Sequence, residues 1–428
     1  MKPILAILTT FFFFSCKNAP AKIVDQIFTD SLVAHYNPPA IVKTTEDELA
    51  FWKNRIDTAS TGITNESRYA SALVARFHQS GDINDIKKAD SMMRLVNAAY
   101  NYKEASANLA LCNYSILQHR FTLADSYLEK ARLLGLKKYE ALATSFDVDF
   151  ELGRYNNAAI YLKQLQPSDD YGYYFRQSKL QHLNGNIDSA IQSMLTAADK
   201  AASSPYLKNT ALANAADLYI HAGKLKEAND LYKICIQAGS GDFHSITGMG
   251  WIALVNDKND SLAQQLFEFV RSKNKLPDPI FKLYQVAQQR QDSAAAAGYA
   301  QQFAGLASDT VYGDMYNKYL IEVYTGILHQ PGKAAVIAKR ELSNRSTAQT
   351  NAWYAWSLFC DKKTDDAYKM YEQAVSGKPL EGLELYWMGK MMQGLGKGYN
   401  AKAFFKAAWT NKYDLSPAMV ADLEKQSR

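Results

Sequence analysis

Three sets of residues in this chain have the types and order that ligand chemistry uses. Asp257, Asn259, Ser261 and Glu268 stand at the first, third, fifth and twelfth places of a calcium-binding loop, where carboxylate and amide oxygens would wrap a hard cation. The sixth place needs glycine for its sharp turn and holds Leu262, so the stretch reads as the start of a helix. Gly394, Gly396 and Gly398, with Lys397, imitate a phosphate-cradling loop. No Ser or Thr follows the lysine and no strand pattern precedes the glycines, which makes them a turn between helices. His119, His182, His221 and His329 fall near the ends of apolar-periodic segments, where the helix dipole favours an imidazole, so they read as capping or surface residues. None has a second histidine four residues away with a glutamate between, the spacing a zinc protease requires. There is no nucleophile elbow, no carboxylate pair in a distinct context and no Cys–His arrangement. Nothing in the sequence therefore argues for an enzyme, a cofactor or a metal site.

The first residues follow a different logic. Met1 and Lys2 precede an apolar stretch from Ile4 to Phe14, then Ser15 and Cys16. This order resembles a bacterial lipoprotein signal, and the resemblance implies that Cys16 becomes the acylated first residue of the mature protein. Phe13 departs from the leucine that such signals usually carry three residues before the cysteine. The apolar run is too short to span a bilayer as a helix. Residues 1–16 are thus read as a signal peptide, and 17–45, with Pro20, Pro38 and Pro39, as a tether or a loosely packed cap. The expected location is the cell envelope, held to a membrane by lipid, on the periplasmic or surface side.

The elements that must carry everything else are set by an alanine that returns at near-constant spacing: Ala89, Ala124, Ala158, Ala190, Ala228, Ala263, Ala295, Ala335, Ala367 and Ala401. A mean gap of about 35 residues is the mark of a repeat array. Around Ala367, the places nine before, four after and seven after hold Leu358, Tyr371 and Ala374, and around Ala401 they hold Met392, Phe405 and Ala408. Around Ala228 they hold Tyr219, Tyr232 and Cys235. Gly153, Gly185, Gly223 and Gly396 stand five residues before their anchors. Apolar residues three or four apart on both sides of such a turn describe two antiparallel amphipathic helices. One hairpin cannot bury its apolar face alone, so stability must come from stacking.

The pattern resembles the tetratricopeptide repeat, with Ala, an aromatic four residues on, a second small residue and a closing proline at Pro379. The resemblance implies an all-α solenoid of about ten helix-turn-helix units, a right-handed superhelix over 46–425 with a capping helix beginning near Thr45. That helix would lay Leu49, Phe51, Trp52 and Ile56 on the first repeat. Cys112, Cys235 and Cys360 fall on apolar helix faces and read as small buried hydrophobes. Because each unit of a solenoid touches only its neighbours, no disulfide is expected.

Charge is balanced, with 48 basic against 43 acidic side chains and a formal net charge of +5, which argues against nucleic acid as a partner. The partner expected from the resemblance is a protein or peptide on the concave face. Counting back from the anchors puts Phe175, Lys179, His182, Asp217, His221, Trp356, Phe359, Tyr386 and Lys390 on that face. Aromatic anchors mixed with a few charges suit a protein segment. The sequence thus points to a non-enzymatic interaction scaffold anchored by lipid. A glycan-capturing outer-membrane lipoprotein paired with a nutrient transporter is the alternative, as is an accessory subunit of an envelope assembly or secretion complex.

Overall fold

The computed structural model describes residues 21–58, 63–201, 203–239, 241–396, 398 and 400–426. The signal segment with Cys16, the first residues of the proposed tether, and Lys397 lie outside the described residues.

Two helices, α1 (Gln26–Ala34) and α2 (Ala40–Thr58), precede ten antiparallel hairpins. These are α3 (Thr64–Ser80) with α4 (Ile83–Ala99), α5 (Ala105–Leu117) with α6 (Phe121–Leu133), α7 (Lys138–Glu151) with α8 (Tyr155–Leu165), α9 (Tyr171–Leu183) with α10 (Ile187–Lys200), and α11 (Pro205–His221) with α12 (Leu225–Ala238). The second five are α13 (Phe243–Val255) with α14 (Asp260–Lys273), α15 (Asp278–Gln289) with α16 (Ser293–Ala307), α17 (Asn317–Thr325) with α18 (Pro331–Asn344), α19 (Ala348–Cys360) with α20 (Thr364–Ala374), and α21 (Gly382–Leu395) with α22 (Ala401–Thr410). A last helix, α23 (Pro417–Gln426), closes the chain, and no strand occurs among the described residues. Consecutive helices pack in order, which makes this an α-solenoid.

The local chemistry explains the boundaries. Asp170, Ser204, Asp242, Asn259, Asp292 and Thr347 each accept a backbone N–H from the first turn of the helix they precede. The turn within each hairpin needs a left-handed residue, which Gly153, Gly185 and Gly223 supply at φ near 75°. His119, Lys258 and Lys362 occupy the same place at φ 52°, 52° and 65° without that freedom. Asn259 caps α14 where the calcium-loop pattern had been noted, and the Asp257 carboxylate is taken by the backbone N–H groups of Ile23 and Val24, each at 2.9 Å.

The anchor alanines form the axis of the array, and Ala89, Ala124, Ala158, Ala190, Ala228, Ala263 and Ala367 have no exposed surface. One expected anchor is one residue out of register: Ala296 is the buried residue of its hairpin while Ala295 is only half-buried, whereas Ala334 and Ala335 are both buried. Runs of alanine offer two candidates for a slot that accepts any small side chain, and only packing chooses between them.

The N-terminal segment differs from a tether. α2 starts at Ala40, directly after Pro38 and Pro39, and Thr45 is buried mid-helix, accepting a hydrogen bond from Gln79 Nε2 at 2.8 Å. Proline lacks the N–H that the first turn leaves unpaired, so the pair starts the helix six residues before the acidic run at Glu46. Leu49 is buried, Trp52 and Ile56 are half-buried, and Phe51 is exposed. α1 packs against α12 and α14, with Val24 buried, Lys233 over the Phe28 ring and Gln265 bonded to Asp30.

The expectation that each unit touches only its neighbours also fails. The superhelix curves tightly enough that its second half lies along its first. Asp314 N donates to Gln118 O at 3.0 Å, Gln118 Nε2 to Val311 O at 2.7 Å, and Thr122 Oγ1 to Asn344 O at 2.7 Å. Lys275 N donates to Ser80 O at 2.8 Å, and Trp251 Nε1 to Tyr413 O at 2.8 Å. Gly313 sits in this seam at φ 64°, where a Cβ would stand 2.3 Å from Gln118 O, so only glycine permits the contact. Cys112, Cys235 and Cys360 remain free thiols, each pushed by burial up to about 12.

Candidate functional site

Closure of the seam leaves a half-open cavity of about 970 Å³ between the two arms. One wall is built from the carboxyl ends of the first helices of successive hairpins: Phe150 and Glu151 on α7, Lys179 and His182 on α9, His221 on α11, and His119 in the turn after α5. The facing wall comes from the amino ends of first helices in the second arm, with Lys318 and Tyr319 on α17, Trp353 on α19, Glu384 on α21 and Glu381 capping it. Arg345 and Asp414, from connecting segments, complete it. Part of the polarity follows the helix dipoles, against which Glu151 at the carboxyl end of α7 and Lys318 at the amino end of α17 are held by ion pairs. Carboxyl ends favour Lys179, His182 and His221, and the amino end of α21 favours Glu381 and Glu384.

The charges are bound to one another across the arms. Lys179 Nζ lies 2.9 Å from Glu151 Oε1 and 4.5 Å from the centre of the Phe150 ring. Arg345 Nη1 reaches the other Glu151 oxygen at 3.2 Å, its Nε reaches Glu341 at 2.7 Å, and its guanidinium lies over the rings of Phe121 and Trp353. Burial works to raise the Glu151 carboxyl, but Lys179 and Arg345 outweigh it and hold it below the usual range. Lys318 Nζ is shared by Glu381 at 3.3 Å and Glu384 at 3.2 Å, and Trp353 Nε1 donates to Glu384 at 2.6 Å. Lys318, chiefly, holds Glu381 low.

Three histidines meet here. His182 and His221 have ring centres 5.1 Å apart. Desolvation lowers His182; it also works against His221, but the hydrogen bond to Asp414 at 2.6 Å overcomes it and raises that imidazole. Burial, reinforced by the Arg345 charge, pushes His119 down to about 4. Its Nδ1 and the Glu384 Oε2 are buried without a hydrogen-bond partner among the described residues. Polar atoms in that state mark a site that water or a ligand completes.

Of the nine residues assigned to the concave face from sequence, Lys179, His182 and His221 line this cavity. The other six are placed elsewhere. Phe175 packs against Tyr171 among α9, α10 and α11. Asp217 is held by Tyr232 Oη at 2.5 Å and His244 Nε2 at 2.9 Å. Trp356 stacks on Trp387 and Phe359 and donates to Thr325, and Phe359 fills the space left by Gly394. Tyr386 and Lys390 are both bonded to Asp422 on α23, at 2.8 and 3.0 Å. These six side chains are thus engaged by other partners, while Lys179, His182 and His221 reach the cavity. Glu151 stands seven residues before its anchor, as His221 does, so the repeat register could have found it. Arg345, Glu381 and Asp414 precede or follow helices at irregular places and carry no such signal.

Among the described residues no group of three or more His, Cys, Asp or Glu side chains is placed to hold a metal ion, and no helix is long and apolar enough to cross a membrane.

A scan of protein-family models finds none that matches this chain, and no curated relative matches. Among solved structures, a tetratricopeptide repeat protein from Parabacteroides merdae is similar at 14% identity over 60% of this chain and 99% of that one, with a TM-score of 0.37. A human IFIT1 dimer with PPP-AAAA is similar at 11% identity over 77% of each chain, TM-score 0.47, and yeast Tom70 at 10% over 90% and 92%, TM-score 0.39. These likenesses concern helical architecture only, and nothing about ligand or partner rests on them. The period near 35 residues, the buried small anchors and the ten stacked hairpins make the chain a tetratricopeptide-like α-solenoid.

Proposed function

We propose that the protein is a non-enzymatic binding protein of the bacterial cell envelope, held to a membrane through a lipidated Cys16, which grips a segment of a partner protein in its central cavity. The observation that carries this reading is the cavity itself. Its volume lies in the range of specific ligand sites, and its wall alternates aromatic faces with fixed charges. Tyr319 and Glu381 expose enough surface to meet a guest, and Glu384 Oε2 and His119 Nδ1 have no hydrogen-bond partner among the described residues. The cavity cations are each neutralised by a carboxylate in fixed geometry, which suits recognition better than proton transfer.

The test is site-specific photocrosslinking in membranes. A photoreactive amino acid at Tyr319 should trap a discrete partner that E381A/H182A no longer yields, whereas the same group at exposed Val336 on α18 should not. Trapping at both positions, or survival of the crosslink in E381A/H182A, overturns the reading. Saturable binding of neutral oligosaccharides in calorimetry would replace the protein segment by a glycan.

A further inference from the structure

The N-terminal segment is fastened to one particular place on the solenoid. Ile23 N and Val24 N both donate to Asp257, Ala21 O accepts from Asn256 Nδ2, and Lys233 pairs with Asp25 at 3.5 Å. These contacts pin the chain to the edge formed by the turns inside the α11–α12 and α13–α14 hairpins. Ile23 shares a surface hollow there with Gly223, Lys224, Lys226, Glu227, Asn256 and Tyr413. Cys16 is five residues before Ala21, so the acylated end can stand no more than about 18 Å from the pinned backbone even when fully extended. A compact chain of this length has a radius of gyration of about 22 Å, so the tether is too short to let the body turn over.

We propose that this turn edge lies against the bilayer, with the long axes of the α11–α14 helices steep to its plane. The inference rests on the lipid-anchor reading and adds the face. The chemistry of the edge fits phospholipid headgroups. Lys22 and Lys258 are exposed, and Lys226 is largely exposed beside Asp230. Lys412 lies over both Trp409 and Tyr413. The acidic Asp257 faces the chain's own N–H groups, and Asp188 is paired with Lys224, which leaves Glu227 as the carboxylate in the hollow. Lysines beside a partly exposed tryptophan are what an interface with anionic lipid recruits.

Lys258 and Ser272 stand at opposite ends of α14, about 21 Å apart along a helix of 14 residues. Full-length acylated K258C and S272C, each carrying a fluorophore, are to be reconstituted in vesicles of phosphatidylethanolamine and phosphatidylglycerol containing a headgroup-nitroxide lipid. The expected result is quenching several-fold stronger at 258 than at 272, erased by a Gly/Ser insert of about 30 residues after Ala19. Equal quenching, or stronger quenching at 272, overturns the orientation. Labelling with an alkynyl fatty acid, with C16S as control, reads the anchor separately. If wild type takes up no label, or C16S floats with vesicles as well as wild type, the anchor fails and the orientation with it. If wild type is acylated and the two positions quench alike, the orientation alone fails.

Discussion

His119 should make the protein acid-sensitive through a single ring. It occupies a left-handed turn position where several other hairpins use glycine, its Nδ1 is buried without a partner among the described residues, and its pKa falls from 6.5 to about 4. Between those two values the unfolded chain takes up a proton that the folded chain refuses. The stability associated with this group is therefore fully present above pH 6.5 and is lost as pH falls toward 4. At 1.36 kcal/mol per unit, the loss between pH 7 and about pH 4.5 is about 2 kcal/mol. H119G removes the titrating ring and relieves a left-handed conformation that costs a side-chain residue about 1 kcal/mol. Its stability at pH 7 should thus stay within about 1 kcal/mol of wild type, while its acid loss shrinks by about 2 kcal/mol. Urea unfolding followed by far-ultraviolet circular dichroism at the two pH values measures both, and carboxylate titrations common to the two proteins cancel in the difference. His221, raised by Asp414, acts in the opposite sense and is also common to both. Equal acid losses in wild type and H119G would exclude His119 as the source of the acid sensitivity.

Three further perturbations test the seam and the register. R345M leaves the fully buried Glu341 carboxylate without its cation and should cost about 3 kcal/mol in urea unfolding, most of it recovered in R345M/E341L. G313A places a methyl group against Gln118 O and should part the arms, seen as a larger radius of gyration in solution scattering together with a loss of about 2 kcal/mol. A296L should destabilise by about 1–3 kcal/mol through overpacking, whereas A295L should cost clearly less, and thermal melts that rank them the other way would restore the original register.

Much of this fold was legible because helical hairpins are written locally. The recurring alanines, the aromatic four residues later and the left-handed glycines depend on contacts within one unit or between adjacent units, so their spacing survives in one dimension. The misplaced anchor at 295 came from an alanine run, where composition offers equivalent choices and packing selects one. The early start of α2 and the docking of α1 were hidden because the polar, proline-bearing composition of 17–45 resembles a linker. What fixes that segment is an aspartate more than two hundred residues away.

The concave-face residues show where locality ends. His182 and His221 could be named from the register because places eight and seven before the anchor fall at helix ends that project into the lumen, and Lys179, eleven before its anchor, reaches it too. Trp356, Tyr386 and Lys390 shared an equally regular offset, yet the neighbouring helices α17, α21 and α23 cover them. The amino-acid order by itself determined that the chain is a helical ribbon with small side chains along its axis, since that follows from periodicity. Only the tertiary structure decided that the ribbon closes on itself, because the accumulated twist of ten units sets which distant turns meet, and no single unit encodes that sum.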